Sequence, residues 1–266
     1  MLFKEETVVA SDGVRLFYRV AGEGPTTLLF LHGWAGSGSG PFWNRTLQYL
    51  DPMGLRLVLA DLRGHGRSDH TRDGFTTERF AEDMFEVADH VGAAKMITVA
   101  YSMSGRWAQW MACTKPDRVL GQILFGPAPA VALPLTEETL DEWISATATR
   151  GTWEGLIGRL TRKRLSAETL DDFYSSVQTT PEHSLRESFY MCTRPGFLDR
   201  LDATTARTLV VAGTHDPLLT LDYVREHLVR RIPAARLALL DCGHEIPLEV
   251  PRETGALIEA FVSGVG

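Results

Sequence analysis

Apolar and polar positions along the chain follow two alternating periods. Short runs in which nearly every residue is apolar, at 27–31 (TLLFL), 55–60 (LRLVLA), 96–100 (MITVA), 120–125 (LGQILF), 208–212 (TLVVA) and 236–240 (RLALL), read as strands. Several lack polar alternation, as strands buried on both faces do. Two earlier segments, 6–10 and 14–20, are joined by Ser11-Asp12-Gly13 and predict an opening antiparallel hairpin. Stretches of helical period lie between the strands. Thr76 is placed to cap a helix whose Phe80, Met84, Val87, Ala88 and Val91 form one apolar stripe. Further helices are expected over 104–115, 223–231 and 252–262. This order of elements predicts an α/β fold: a mostly parallel, doubly wound sheet of eight strands with helices on both faces.

One interval breaks the rhythm. From about 127 to about 206 no strand pattern occurs, and 136–146, 153–160, 166–176 and 181–192 read as four short helices. So long a stretch exceeds an ordinary βα loop. The expected organisation is therefore a core of 1–126 and 207–266 interrupted by a helical cap, or lid, over 127–206. The cap is rich in large side chains (Trp143, Trp153, Phe173, Tyr174, Phe189, Tyr190, Met191, Phe197). Most of these are expected to fill a small core of the cap's own.

Composition narrows the class. The 266 residues suffice for one large domain with an insertion, and 44% apolar with 23% charged residues is the globular range. A net charge of −7 without any Lys/Arg-rich run speaks against a nucleic-acid partner. The longest mostly apolar stretch, 122–135, is too short to span a bilayer and carries three prolines. The N-terminal MLFKEETVV has no apolar signal region, so a cytoplasmic protein with no membrane partner is expected. Cys113, Cys192 and Cys242 are widely spaced and form no C-x-x-C pair, which predicts reduced structural thiols rather than a metal or redox site.

Candidate chemistry begins where the 96–100 strand meets the next helix, at Val99-Ala100-Tyr101-Ser102-Met103-Ser104-Gly105. A nucleophile on such a strand-to-helix turn takes a strained conformation and needs small residues two positions to either side. Ala100 and Ser104 meet that requirement around Ser102, although the common G-x-S-x-G form has glycines there. Ser104 is flanked instead by Ser102 and Arg106, and an arginine would crowd the turn.

Together with Leu31-His32-Gly33-Trp34, Asp61-Leu62-Arg63-Gly64-His65-Gly66-Arg67-Ser68, Gly213-Thr214-His215-Asp216-Pro217 and Cys242-Gly243-His244, this segment resembles the α/β-hydrolase superfamily from the first hairpin to the last helix. The resemblance implies a triad of Ser102, Asp216 and His244 in that chain order. It implies an oxyanion hole made by the backbone N–H groups of Trp34 and Met103. The Asp61–Ser68 motif is read as scaffold, with His65 as a loop residue. The position after the preceding strand, where some relatives carry the acid, holds Gly126-Pro127-Ala128-Pro129 and offers no carboxylate.

The implied activity is hydrolysis of a small, mostly apolar carboxylic ester or lactone through an acyl-enzyme, with no metal or organic cofactor. Trp34, Tyr101 and Trp153 are candidate pocket residues. A monomer or a homodimer is expected. The same fold also serves C–C bond hydrolysis, perhydrolysis of the haloperoxidase type, amide cleavage and cofactor-free dioxygenation. A hydrolase-like ligand receptor is the reading from another class, and the intact triad argues against it.

Overall fold

The computed structural model describes residues 1–36 and 40–264. Among them eight strands form one sheet: β1 (Lys4–Val9), β2 (Arg15–Ala21), β3 (Thr26–Leu31), β4 (Leu55–Ala60), β5 (Met96–Tyr101), β6 (Val119–Phe125), β7 (Arg207–Gly213) and β8 (Arg236–Leu240). Their order is β1-β2-β4-β3-β5-β6-β7-β8. β2 pairs antiparallel with β1 and with β4, and every other pair is parallel. The central strands β3 and β5 are buried almost throughout, which is why their sequences carry no polar alternation.

The helices are α1 (Asn44–Leu47), α2 (Thr77–His90), α3 (Gly105–Thr114), α4 (Glu137–Ala146), α5 (Arg150–Leu160), α6 (Ala167–Gln178), α7 (Glu182–Thr193), α8 (Leu221–Val224), α9 (Ile246–Glu249) and α10 (Pro251–Ser263). α2 starts where expected, with the Thr76 side chain accepting from Arg79 N. Its Phe80, Met84, Val87 and Ala88 join Trp107 and Met111 of α3 in one apolar layer against the sheet. Leu47 of α1 with Ile258 and Phe261 of α10 belongs to the layer on the other face.

Several boundaries differ from the sequence pattern. α5 begins at Arg150, three residues early, because Thr149 caps it by accepting from Thr152 N; Gly151, Gly155 and Gly158 had diluted its helical signature. The helix expected over 223–231 starts at Leu221 and runs into a π-turn at Arg225–Val229. A 3-10 turn over Ser102–Ser104 precedes α3.

Between β6 and β7 the chain forms α4 to α7 and a 3-10 stretch at Leu198–Ala203. These helices pack on one another, Trp153 against Phe173 and Trp143 against Phe189, and that packing is continuous with the layers on the sheet. Trp153, Phe173 and Phe189 pack in the same cluster as Phe30, Trp43 and Tyr101, while Met191, Cys192 and Phe197 pack with the layer on the opposite face. Arg106 ties this insertion to α3. Its buried guanidinium donates to the carbonyls of Pro129 and Val131 where the chain leaves the sheet, and to those of Arg194 and Pro195 where it returns.

The loop after β4 is a buried frame. Arg63 donates to both carboxylate oxygens of Asp83 at 2.6 and 2.7 Å and to Asp12 at 2.8 Å. His65 lies fully buried with its ring 5.2 Å from that of His32, and its Nδ1 pairs with the Arg63 carbonyl.

Candidate active site

Ser102 follows β5 directly, with a backbone φ of +53°. An L-residue adopts this left-handed conformation only when its surroundings enforce it. Here Ser104 supplies the enforcement. Its Oγ accepts from Tyr101 N and donates toward the carbonyls of Tyr101 and Leu31, each at 3.0 Å. Ser104 is thereby consumed as a pin of the turn, and Ser102 is left half-exposed at its tip. Gly33 makes the close approach possible, since a Cβ there would lie 2.8 Å from the Tyr101 ring and 3.1 Å from Ser102 Cβ.

Ser102 Oγ lies 2.9 Å from His244 Nε2, and His244 Nδ1 lies 2.7 Å from Asp216 Oδ2. The other oxygen, Asp216 Oδ1, accepts from Leu218 N and Leu219 N at 2.8 and 2.9 Å, which fixes the carboxylate in the loop after β7. With Nδ1–H donated to Asp216, Nε2 is the basic nitrogen and the Ser102 hydroxyl is its donor. Burial alone would lower the pKa of His244, but the Asp216 carboxylate outweighs it and holds the imidazole above its ordinary 6.5. The three side chains come from three loops at the carboxyl ends of β5, β7 and β8, the edge of a parallel sheet where ligands bind. Gly126, at φ +48°, closes against the pair, and a Cβ there would lie 3.5 Å from His244 Nδ1.

The structure brings all the sequence-derived site residues together. Met103 is the second residue of the 3-10 turn after Ser102, where an amide lacks a helical acceptor. The Trp34 N–H has no acceptor among the described residues. Trp34, Tyr101 and Trp153 line a cavity of about 30 Å³ that also contains Ser102 and His244, room for one or two waters. A second cavity of about 30 Å³ lies on the other side of Trp34 and Trp143, walled by Met103, Leu133, Phe189 and Leu219. Trp34 also reaches the insertion, donating its indole N–H to Leu185 O at 2.8 Å.

Other residues of the site gave no sign in the sequence. Trp143 stacks obliquely on Trp34 with ring centres 5.3 Å apart and lines both cavities, as does Leu218. Buried Glu245, next to His244, accepts from the Tyr101 hydroxyl at 2.6 Å. Glu249 accepts from Gly243 N and from Arg162 N and Lys163 N, bonding the end of α5 to the histidine loop, and His244 N donates to Leu160 O at 2.7 Å. Cys113, Cys192 and Cys242 are buried and unpaired. Among the described residues no group of three or more His, Cys, Asp or Glu side chains stands in a metal-binding arrangement, and no helix is long and apolar enough to cross a membrane.

Residues 26–251 match the sequence model of the alpha/beta hydrolase fold family. A non-heme haloperoxidase of Rhodococcus erythropolis is 26% identical over 86% of this chain and 89% of its own length. A solved esterase from Exiguobacterium antarcticum superposes with a TM-score of 0.85 at 22% identity, covering 97% of this chain and 98% of that one. An N-acyl homoserine lactone degrading enzyme superposes with a TM-score of 0.78 at 27% identity, over 95% and 99% of the two chains.

Proposed function

The chain belongs to the α/β-hydrolase fold family, and within it we propose that this enzyme hydrolyses a small, mostly apolar carboxylic ester or lactone through an acyl-enzyme on Ser102. The observation that carries the reading is the unbroken line Ser102 Oγ, His244 Nε2, His244 Nδ1, Asp216 Oδ2 at 2.9 and 2.7 Å, with the serine on a strained turn. His244 takes the Ser102 proton as Oγ attacks the substrate carbonyl, and Asp216 stabilises the imidazolium that results. The N–H groups of Trp34 and Met103 receive the oxyanion, each worth roughly 3 kcal/mol in such sites. His244 then protonates the departing alcohol and later activates the water that releases the acid.

Residues 127–206 act as the cap in this reading. The two narrow cavities meet at Ser102 between Trp34 and Trp143, and their walls are almost wholly apolar. One holds the acyl side and the other the alcohol side. Both are much smaller than an occupied ligand site of at least about 300 Å³, so Trp143 and its neighbours move aside on binding.

A fluorophosphonate probe is expected to label the wild-type enzyme and not Ser102→Ala, and p-nitrophenyl esters of short acids are expected to turn over repeatedly. Full turnover by Ser102→Ala would end the proposal. Perhydrolysis uses the same acyl-enzyme with peroxide in place of water. The similarity to a haloperoxidase makes acyl transfer to peroxide the second activity to measure.

A further inference from the structure

The proposed triad leaves one polar pair in the cavity without a task. Glu245 lines the space beside Ser102 and His244, and the rest of that wall is apolar: Leu156, Ile157, Leu160 and Phe173. Its Oε2 accepts from the Tyr101 hydroxyl at 2.6 Å, and Oε1 has no hydrogen-bond partner among the described residues. No Lys or Arg among the described residues pairs with the carboxyl, which is only 3% exposed. An unpaired carboxylate is costly in such a place, and burial pushes the Glu245 pKa up to about 7. In the protonated form Tyr101 still donates to Oε2, so the acid proton resides on Oε1 as a hydrogen-bond donor. The same cavity is lined by Trp153, whose buried indole N–H has no partner either. A buried donor without an acceptor is a standing cost that a ligand oxygen would remove.

We propose that Glu245 and the Trp153 N–H form a polar subsite for a neutral oxygen function, a hydroxyl or a keto group, on the ester or lactone cleaved at Ser102. This rests on the function proposed above and narrows its substrate class. A hydroxyl or keto oxygen accepts from Oε1–H and from the indole N–H, and a hydroxyl also donates back when Glu245 is ionised. A carboxylate in that position would face an acidic side chain that no Lys or Arg among the described residues pairs with, so diacid substrates are disfavoured.

The test compares kcat/KM within matched pairs: p-nitrophenyl butyrate against its 3-hydroxy derivative, the pentanoate against the 4-oxo derivative, and propyl butyrate against the monobutyrate of propane-1,2-diol. The oxygenated member is expected to be favoured at least about tenfold in the acyl series or in the alcohol series, because a site built to bond an oxygen discriminates against its absence. Which series responds identifies the side of the substrate that this cavity holds. Glu245→Leu is expected to bring the ratio close to one, and Trp153→Phe to reduce it. Glu245→Gln keeps an acceptor for Tyr101 and an N–H donor for the cavity, so it retains part of the preference and excludes misfolding as the cause. A wild-type ratio near one in both series, or an unchanged ratio in Glu245→Leu, overturns the subsite while hydrolysis at Ser102 stands. Absence of any turnover together with no labelling of Ser102 removes both.

Discussion

Two buried histidine sites lie on neighbouring loops of this molecule, and burial has opposite consequences in them. His32 and His65 are fully buried, and so nearly is His244. Burial lowers His32 to about 4, and burial reinforced by the neighbouring ring lowers His65 to about 3. His244 is desolvated as well, yet its pKa is raised. The difference is led by the Asp216 carboxylate, hydrogen-bonded 2.7 Å from Nδ1, with the Glu245 and Glu249 carboxylates adding to it. His32 and His65 give their Nδ1 instead to the carbonyls of Gly33 and Arg63 at 2.9 Å, neutral acceptors that favour an imidazolium too little to offset burial. Burial alone thus makes a histidine a neutral structural wedge, and a paired carboxylate preserves its basicity.

Asp216→Asn breaks this contrast most severely. It should leave His244 Nδ1 with a neutral acceptor, as His65 has, reducing kcat by about 10⁴-fold, as loss of the acid does in serine triads. The ionisation seen in kcat/KM should also move. In the wild type it is expected above 6.5, because His244 must be neutral to accept the Ser102 proton and Asp216 favours its charged form. In the variant it should fall below that of the wild type. A pH profile that keeps the wild-type inflection with full kcat would show that Asp216 does not set the base.

Acid stability is the next largest effect, and its sign separates the two sites. An unfolded chain protonates His32 and His65 near 6.5, whereas the folded chain resists down to about 4 and about 3. The unfolded state therefore binds more protons in that window, and stability falls as pH drops from about 6.5 toward 3. At about 1.4 kcal/mol per pKa unit the loss is several kcal/mol. Glu245 acts in the opposite sense. Its folded pKa of about 7 lies above the ordinary 4.5, so its contribution is present below 4.5 and lost as pH rises through 7. Urea midpoints measured from pH 7.5 to 4 should show a steeper acid limb in the wild type than in His65→Asn. Equal limbs would mean that His65 does not couple to folding.

His32→Leu sharpens the comparison from the structural side. The Leu62 N–H donates to His32 Nε2 at 3.2 Å, and leucine leaves that buried donor without a partner. A cost of about 1–3 kcal/mol is expected, lowering Tm by several degrees. Because His32 adjoins Gly33 and Trp34, kcat should fall as well, but far less than in Asp216→Asn. Thermal unfolding with p-nitrophenyl butyrate kinetics on the same sample reads both.

What the sequence disclosed follows from the reach of its signals. Ser102, Asp216 and His244 each stand one short step past an apolar strand, so local pattern placed them at the same edge of the sheet. Trp34 and Met103 came with them, because the part proposed for them belongs to backbone that strand and turn position together. Glu245 and Glu249 were invisible. Glu249 ends the four-residue α9 and Glu245 immediately precedes it, a stretch too short to show a period, and the partners that reveal them, Tyr101 for Glu245 and Arg162 and Lys163 for Glu249, lie 144 and 86–87 residues away. Trp143 was one aromatic among seven in the insertion, and only the phase of α4 selects it to face Ser102. The core expected for the insertion is present in the contacts of Trp153 with Phe173 and of Trp143 with Phe189, but it is not closed off from the rest. Its large side chains match the apolar layers of the sheet, and a one-dimensional pattern does not say which surface a helix meets. Arg106 entered the sequence argument only as an obstacle beside Ser104, whereas its donors join both ends of the insertion to α3.

Trp34→Phe gives the smallest expected change and the finest division of labour. The part proposed for it belongs to its backbone N–H, and that amide survives the substitution. What is lost is the indole N–H bond to Leu185 O, one neutral hydrogen bond between the sheet's loop and α7. Such a bond contributes about 1 kcal/mol, so kcat toward a small acetate ester should change only a few-fold. The effect should grow with bulkier substrates, because Trp34 and Trp143 together separate the two cavities. Phenylalanine keeps the ring contact while freeing α7 from its tether, so KM should respond more than kcat. A loss of kcat near that of Asp216→Asn would instead place the side chain of Trp34, rather than its amide, in the transition state.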